Sequence, residues 1–281
     1  MAVSLPQRDL IAMPDKKPKL KNMQRRGIYL LPNLLTTTAL FAGFYSIVAA
    51  IDGNFVKACV AHFVAMAFDG MDGRLARLTN TESDFGKEYD SLSDMVAFGV
   101  APAIVVYQWG LERLAEYGWM WGKLGWLAAF FYAVAAAMRL ARFNSFHAEA
   151  DKSFFQGLPS PPAASLVIGI VWLGTDLGWS GGFALAVTFV ITVTAGALMV
   201  SPFSYNSFKE ISMSGRISFT YALTLPLIFI MVAVNPPLVL FGLALTYTVS
   251  GPLISLWSQR RREEQRSSVV NNEEPPEASD L

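Results

Sequence analysis

Asp69, Asp72, Asp90 and Asp94 stand in stretches that otherwise read as membrane-spanning helix: Phe68-Asp69-Gly70-Met71-Asp72-Gly73-Arg74-Leu75-Ala76-Arg77, then Gly86-Lys87-Glu88-Tyr89-Asp90-Ser91-Leu92-Ser93-Asp94. At 100° per residue, Asp69, Asp72, Gly73 and Ala76 fall within an arc of about 100° on one helix face. Asp90 and Asp94, spaced i and i+4, share a face of the following helix. The polar stretch between them is short enough for the two faces to meet, so four carboxylates converge near a membrane boundary. An ionised carboxylate there costs at least roughly 2.5–3.5 kcal/mol on insertion scales, and four together repel. Divalent cations relieve both problems, and hard oxygen ligands suit Mg²⁺ or Mn²⁺. A Mg²⁺ so held keeps positions for phosphate oxygens. Gly73 and Ala76 lack bulk, so a flat base or a diphosphate can approach the backbone, and Arg77 adds positive charge for phosphate. The chemistry so described is metal-assisted handling of a diphosphate. The plainer alternative is that these aspartates cap helices or end in solvent, Asp90 being the best placed to cap. Four at this spacing, with small residues on the same face, argue against it.

Composition says what must position them. The chain has 281 residues, 53% hydrophobic, 13% aromatic and only 16% charged, with a mean hydropathy of +0.38. A soluble domain carries about 25% charged residues. The 22 Lys+Arg balance 22 Asp+Glu, which argues against a nucleic-acid partner. A single cysteine, Cys59, excludes a disulfide framework or a thiolate zinc site, and His62 and His147 stand too far apart in sequence to suggest a His-rich metal site. The expected fold is an all-α polytopic membrane protein of about eight transmembrane helices, at about 30–51, 54–77, 90–110, 121–142, 161–178, 183–201, 216–234 and 237–257. Residues 1–27 have no apolar run of the signal-peptide kind and read as a disordered basic cytosolic arm. Residues 28–258 read as the transmembrane catalytic domain, and 259–281 as a disordered cytosolic tail. With the N-terminus in the cytosol, all the Lys and Arg except Lys57, Arg113 and Lys123 fall on the cytosolic side. An even number of spans returns the C-terminus to that side. The polar connections 78–89, 143–160 and 202–215 are then cytosolic, and Trp109, Tyr117, Trp119 and Trp121 form an aromatic belt at the opposite face.

From Asp69 to Asp94 the chain matches, without a gap or mismatch, the signature D-x2-D-G-x2-A-R-x8-G-x3-D-x3-D of the CDP-alcohol phosphotransferases, and it resembles that family over all eight helices. Further stretches resemble its bacterial, phosphatidylserine-forming branch: Leu31-Pro32-Asn33-Leu34-Leu35-Thr36, Phe85-Gly86-Lys87-Glu88-Tyr89-Asp90-Ser91-Leu92, Arg139-Leu140-Ala141-Arg142-Phe143-Asn144 and Phe155-Gln156-Gly157-Leu158-Pro159-Ser160-Pro161. The resemblance implies a bundle in which Asp69, Asp72 and Asp90 hold a divalent cluster, two ions of Mg²⁺ or Mn²⁺, on the diphosphate of a CDP-lipid. Asp94 would join the cluster and act as general base. Asn33, Gly73, Ala76, Arg77 and Gly86 would line the CDP-lipid site with Asp69 and Asp72. The expected reaction transfers the phosphatidyl group of CDP-diacylglycerol to the hydroxyl of L-serine and releases CMP. The expected setting is a homodimer among the lipids of a bacterial cytoplasmic membrane, with the active site at the cytosolic face.

The signature itself does not choose the alcohol. Serine carries a carboxylate beside its hydroxyl, so its pocket should hold a fixed cation. Arg139 and Arg142, with Asn144, Lys152, Gly157 and Ser160, are the candidate serine-binding residues; Lys209 and Arg216 lie on another cytosolic connection. Each of these cations also fits ordinary positive-inside charge. Glycerol 3-phosphate or an inositol phosphate is the alternative acceptor and would ask for a denser cation cluster. A cation-coupled transporter built on the same aspartates is the alternative from another class; it would place them near the bilayer midplane within repeated helices, and no repeat is visible.

Overall fold

Gly, Pro and Asn divide the apolar sequence into helices close to the expected places. The structure, a computed structural model, describes residues 20–145, 154–206 and 219–273. Helix α1 (Leu20–Ile51) and α2 (Phe55–Thr79) form a hairpin through Asp52-Gly53-Asn54, where Gly53 takes φ +74°, a conformation open to glycine. At the far end of α2, Asn80 adopts the left-handed conformation at φ 52°, ψ 44°. The Asn80 and Thr81 amides bond back to the Arg77 and Ala76 carbonyls at 3.3 and 3.0 Å, which ends the helix. Ser83 then opens α3 (Asp84–Asp94) by accepting the Gly86 amide at 3.0 Å. The two aspartate-bearing helices are therefore joined by a turn with a defined cap at each end.

After α3 the chain does not run on as regular α-helix. Met95–Val100 is a π-helical turn leading into α4 (Ala101–Trp109). Pro102 has no N–H to return to the Phe98 carbonyl, and the fully buried Tyr132 hydroxyl donates to that oxygen at 2.9 Å instead. A short 3₁₀ segment, Leu111–Tyr117, precedes α5 (Trp119–Ser145). Then follow β1 (Phe154–Gln156), α6 (Ser160–Asp176), α7 (Gly182–Val200), β2 (Ser204–Asn206), α8 (Phe219–Val234) and α9 (Pro236–Glu273). The two strands, three residues each, pair antiparallel with Phe155 opposite Tyr205, so the connections before α6 and after α7 meet as a ribbon. Helix α6 is buried along most of its length and packs on α2, α4, α7 and α9. It is the axis of the core.

Over their described residues all eight expected spans are helical, which makes this an all-α polytopic membrane protein apart from the ribbon. By length and composition, five stretches among the described residues are long and apolar enough to cross a bilayer: Leu31–Ile51, Asp84–Tyr117, Trp119–Ser145, Gly182–Val200 and Pro236–Ser255. Helices α6 and α8, of 17 and 16 residues, fall short of the roughly 20 that a span takes, and α2 carries Asp69, Asp72, Arg74 and Arg77. The ends differ from expectation in one respect. Helix α1 already begins at Leu20 and α9 continues to Glu273, through Lys-, Arg-, Gln- and Glu-rich sequence of good helix propensity. Large apolar side chains such as Phe41, Phe44, Phe183 and Phe229 are exposed along the helices, as a bilayer solvent permits. His62 packs edge-on against Phe63 and Phe98 in the core.

Gly43 marks where α1 lies against the π turn: a Cβ there would come 2.9 Å from the Ala97 Cα. Gly43→Val should therefore push α1 off the α3–α4 segment and cost about 1–3 kcal/mol, lowering the thermal unfolding midpoint in detergent. Gly70→Ala, where an added Cβ meets nothing, should leave that midpoint unchanged or raise it.

Candidate active site

The turn between α2 and α3 brings the two acidic faces together. One carboxylate oxygen from each of Asp69, Asp72 and Asp90 lies within 4.8 Å of the others. Asp94 is in hydrogen-bonding reach of Asp69, and Asp72 of Asp90. None of the first three is a cap, because Asp69 and Asp72 sit inside α2, Asp90 sits inside α3, and Ser83 holds the N-cap position. Asp94 is the last residue of α3 and makes no capping bond to the π turn. The solvated-cap alternative thus fails on position.

Burial and hydrogen bonding sharpen the case. Asp72 is 4% exposed, and its Oδ2 accepts the Thr36 hydroxyl at 2.6 Å. Ser93 donates to the Thr36 carbonyl at 3.2 Å, holding α1 to the α3 backbone. Asp90 Oδ1 and Asp94 Oδ1 are buried with no hydrogen-bond partner. The ion pairs among the described residues, Lys87–Asp84 and Arg113–Glu116, lie elsewhere. Mg²⁺ ligands sit about 2.0–2.1 Å from the ion, so two of them span at most about 4.2 Å. The acidic oxygens are grouped at nearly that scale, are hard donors and have unused lone pairs. They fit a divalent cation.

The residues expected on the nucleotide side lie near the same turn. Gly73 and Ala76 are half-buried, and the nearest atom to a Cβ built on Gly73 is Arg77 Nη1 at 3.8 Å. Gly86 lies across from Asn33, whose Oδ1 is 3.5 Å from where a Gly86 Cβ would sit. A second tie between α1 and α3 joins the Thr37 and Tyr89 hydroxyls at 2.9 Å. Gly73, Ala76 and Arg77 thus lie together on α2, with Arg77 exposed, and Asn33 of α1 faces Gly86 of α3.

The candidate acceptor residues divide. Arg139, half-buried near the end of α5, donates Nη1 to Ser160 Oγ at 3.0 Å, while its Nε is buried without a partner. The guanidinium lies within electrostatic range of Asp94. Arg142 is exposed and donates to Gln156 Oε1 on β1. Asn144 Nδ2 donates to Ser91 Oγ at 2.9 Å, linking α5 to α3. Gly157 acts through its backbone: it has φ +80°, its amide bonds the Phe203 carbonyl at 2.8 Å, and a Cβ would strike the Met199 carbonyl. Lys152, His147, Lys209 and Arg216 lie outside the described residues. Of the serine candidates, then, Arg139 and Ser160 meet beside the aspartates, and Arg142, Asn144 and Gly157 brace the surrounding connections.

One residue at the site had no role in the sequence reading. Thr36 was legible only as part of the Leu31–Thr36 stretch, since nothing local says that its hydroxyl reaches another helix.

With this geometry in place, comparison with known proteins is informative. A family model described as CDP-alcohol phosphatidyltransferase matches residues 29–200. The chain belongs to that family. It is 37% identical over 203 residues to a CDP-diacylglycerol–serine O-phosphatidyltransferase of Helicobacter pylori (strain ATCC 700392 / 26695), covering 72% of this chain and 83% of the relative. A protein of the same name from Mycobacterium leprae is 32% identical over 230 residues, 79% of this chain and 73% of the relative. An archaetidylserine synthase of Methanothermobacter thermautotrophicus is 32% identical over 177 residues, 62% of this chain and 69% of the relative.

Thr36→Val keeps the size of the side chain but removes the donor to Asp72. Loss of such a support to a ligating group costs about 10–100-fold in metal affinity, and Mn²⁺ titration followed by electron paramagnetic resonance should show a loss in that range. An unchanged affinity would remove Thr36 from the site.

Proposed function

We infer that this chain is a membrane enzyme that transfers the phosphatidyl group of CDP-diacylglycerol to the hydroxyl of L-serine, giving phosphatidylserine and CMP. The observation that carries the reading is the close grouping of Asp69, Asp72 and Asp90 beside Asp94, with the spare donor of Arg139 next to them. The relatives named above are serine enzymes by name, and they differ in the lipid, phosphatidyl or archaetidyl. Family membership also favours group transfer over cation-coupled transport.

In this reading Asp69, Asp72 and Asp90 hold the divalent metal, with Asp94 alongside; two ions of Mg²⁺ or Mn²⁺ are the proposed complement. Bound there, the metal neutralises the diphosphate and stabilises CMP as leaving group. Gly73 and Ala76 admit the nucleotide to the backbone of α2, Asn33 and Gly86 border it from α1 and α3, and Arg77 offsets phosphate charge at the rim. Arg139 holds the serine carboxylate through its free Nε edge, and Ser160 fixes the guanidinium. Asp94 accepts the serine hydroxyl proton as that oxygen bonds to the lipid-side phosphorus and the bond from phosphorus to the CMP oxygen breaks. An ordinary carboxylate, with a pKa of about 3.9, is a weak base for an alcohol, so close positioning carries the step and the proton moves late. One half-buried guanidinium suits a single carboxylate, which favours serine over a phosphorylated acceptor. A bacterial cytoplasmic membrane is the proposed setting; the distribution of Lys and Arg supports both termini and the active site at its cytosolic side, and the family resemblance suggests a homodimer.

Purified protein with CDP-diacylglycerol and a divalent metal should release CMP with L-serine and not with glycerol 3-phosphate or inositol phosphate; the reverse pattern would overturn the acceptor. Asp94→Asn should abolish nearly all CMP release while the protein still binds CDP-diacylglycerol, and unchanged turnover would remove Asp94 as base. Arg139→Lys keeps the charge but loses the planar fork. It should raise the KM for serine more than about tenfold and leave that for CDP-diacylglycerol near its starting value, and equal effects on the two would refute the carboxylate contact.

A further inference from the structure

Helix α3 stops at Asp94, and the chain widens at once into the π turn Met95–Val100. The Ala101 amide bonds five residues back, to the Val96 carbonyl, where an α-helix would bond four back. Such a turn takes up one extra residue, so the helix beyond it is rotated by about 100° against the helix before it. The two sides of the turn have different neighbours to satisfy. Beyond it, Ala101, Pro102, Ala103, Val105 and Val106 of α4 are buried, and that helix packs on α1, α5 and α6. Before it, an oxygen of Asp90 lies within 4.8 Å of oxygens of Asp69 and Asp72 on α2, and Asp94 follows one turn later on the same face. With α4 fixed by the core, a regular α turn at this place would swing Asp90 and Asp94 about 100° away from α2. The extra residue lets one stretch of chain present both faces.

Neighbouring helices hold the turn in place. Tyr132 of α5 is fully buried, and its hydroxyl donates to the Phe98 carbonyl at 2.9 Å. That carbonyl lacks the α-type donor four residues on, because residue 102 is proline. One turn further along α5, Ala136 closes on Gly99: a Cβ built there would come 3.3 Å from the Ala136 Cβ. From α2, the His62 ring meets the Phe98 ring edge-on, with centroids 5.7 Å apart. Ring packing tolerates sliding, whereas the hydrogen bond is directional and fixes one carbonyl of the turn. We propose that Tyr132 is a positioning residue for Asp94: its bond to the Phe98 carbonyl holds the π turn, and the turn sets the rotation of α3 that keeps the Asp94 carboxylate on the α2 side. This rests on the assignment of Asp94 as general base above. The start of α3 has its own ties, the Ser83 cap and the Tyr89–Thr37 hydroxyl pair, so Asp94, which borders the turn, is the carboxylate the turn governs most closely. A general base must stand within about 2.6–3.2 Å of the oxygen it deprotonates. A small rotation of α3 therefore costs turnover before it costs binding.

The test compares Tyr132→Phe and Gly99→Ala with the unchanged protein in detergent–CDP-diacylglycerol micelles with Mn²⁺, reading CMP release at varied serine and varied CDP-diacylglycerol. Tyr132→Phe keeps the ring and loses the hydroxyl; kcat per folded enzyme should fall about tenfold, while both KM values stay within about threefold. Gly99→Ala leaves the hydroxyl in place and crowds the turn against Ala136 and Met95; it should give the same split, and the same criterion decides from it alone if Tyr132→Phe does not fold. In an Asp94→Glu background, adding Tyr132→Phe should cost less than about threefold further, because changes that act through one group are not additive. A kcat within about twofold of the starting value in Tyr132→Phe overturns the proposal, whatever its unfolding midpoint does, since that pattern marks a purely structural contact. A full further loss of about tenfold in the Asp94→Glu background overturns it too, by placing the effect elsewhere. Unchanged CMP release by Asp94→Asn would remove the base and this proposal with it, whereas a normal kcat in Tyr132→Phe beside an inactive Asp94→Asn removes Tyr132 alone.

Discussion

Mutual repulsion among carboxylates held out of water is the constraint on which the rest of this molecule depends. Two like charges about 4 Å apart repel by about 4 kcal/mol at an effective dielectric near 20. Asp69, Asp72 and Asp90 are grouped on that scale, with Asp94 in contact, and no side-chain cation pairs with them among the described residues. A fold holds such a group together only if its frame is stiff and something positive completes it. The capped turn from Asn80 to Ser83, the Thr36 bond to Asp72 and the close approach of α1 at Gly43 supply the stiffness. A divalent cation, which these oxygens fit, would supply the charge.

The same frame explains the irregular helix behind the site. Pro102 offers no N–H to the Phe98 carbonyl, and the Tyr132 hydroxyl satisfies that oxygen within the π-helical stretch. The bond ties the segment that follows Asp90 and Asp94 to α5, the helix bearing Arg139. The two ends of the proposed reaction, activated lipid and acceptor, are thereby braced to one another through the core. Helix α6, buried almost throughout, is the surface against which both sides are built.

Outside the carboxylates, polar side chains near the site serve mainly to join elements. Asn144 links α5 to α3, Arg142 links α5 to β1, and Gly157 lets the chain turn tightly beneath the end of α7. Each belongs to a stretch that resembles the serine-using branch of the family, so a branch-specific motif here combines contact with substrate and bracing of the loops that surround it. Arg139 stands apart among the described candidates, as a half-buried cation with a donor still to place.

Much of this was legible in the amino-acid order alone, because the signals were local. The pairing of Asp69 with Asp72 and of Asp90 with Asp94 follows from helical periodicity, the position of the helices from apolar length, and the family from an ungapped signature within one hairpin. What the tertiary structure decided depends on contacts between residues far apart in the chain. Thr36 meeting Asp72, Tyr132 meeting Phe98, Arg139 meeting Ser160, and Tyr205 seating against Gly251 beside Tyr247 all arise from how the helices pack. Periodicity tells which face of a helix is polar, but not which neighbour that face will find, because the neighbour is chosen by the shape of the whole core.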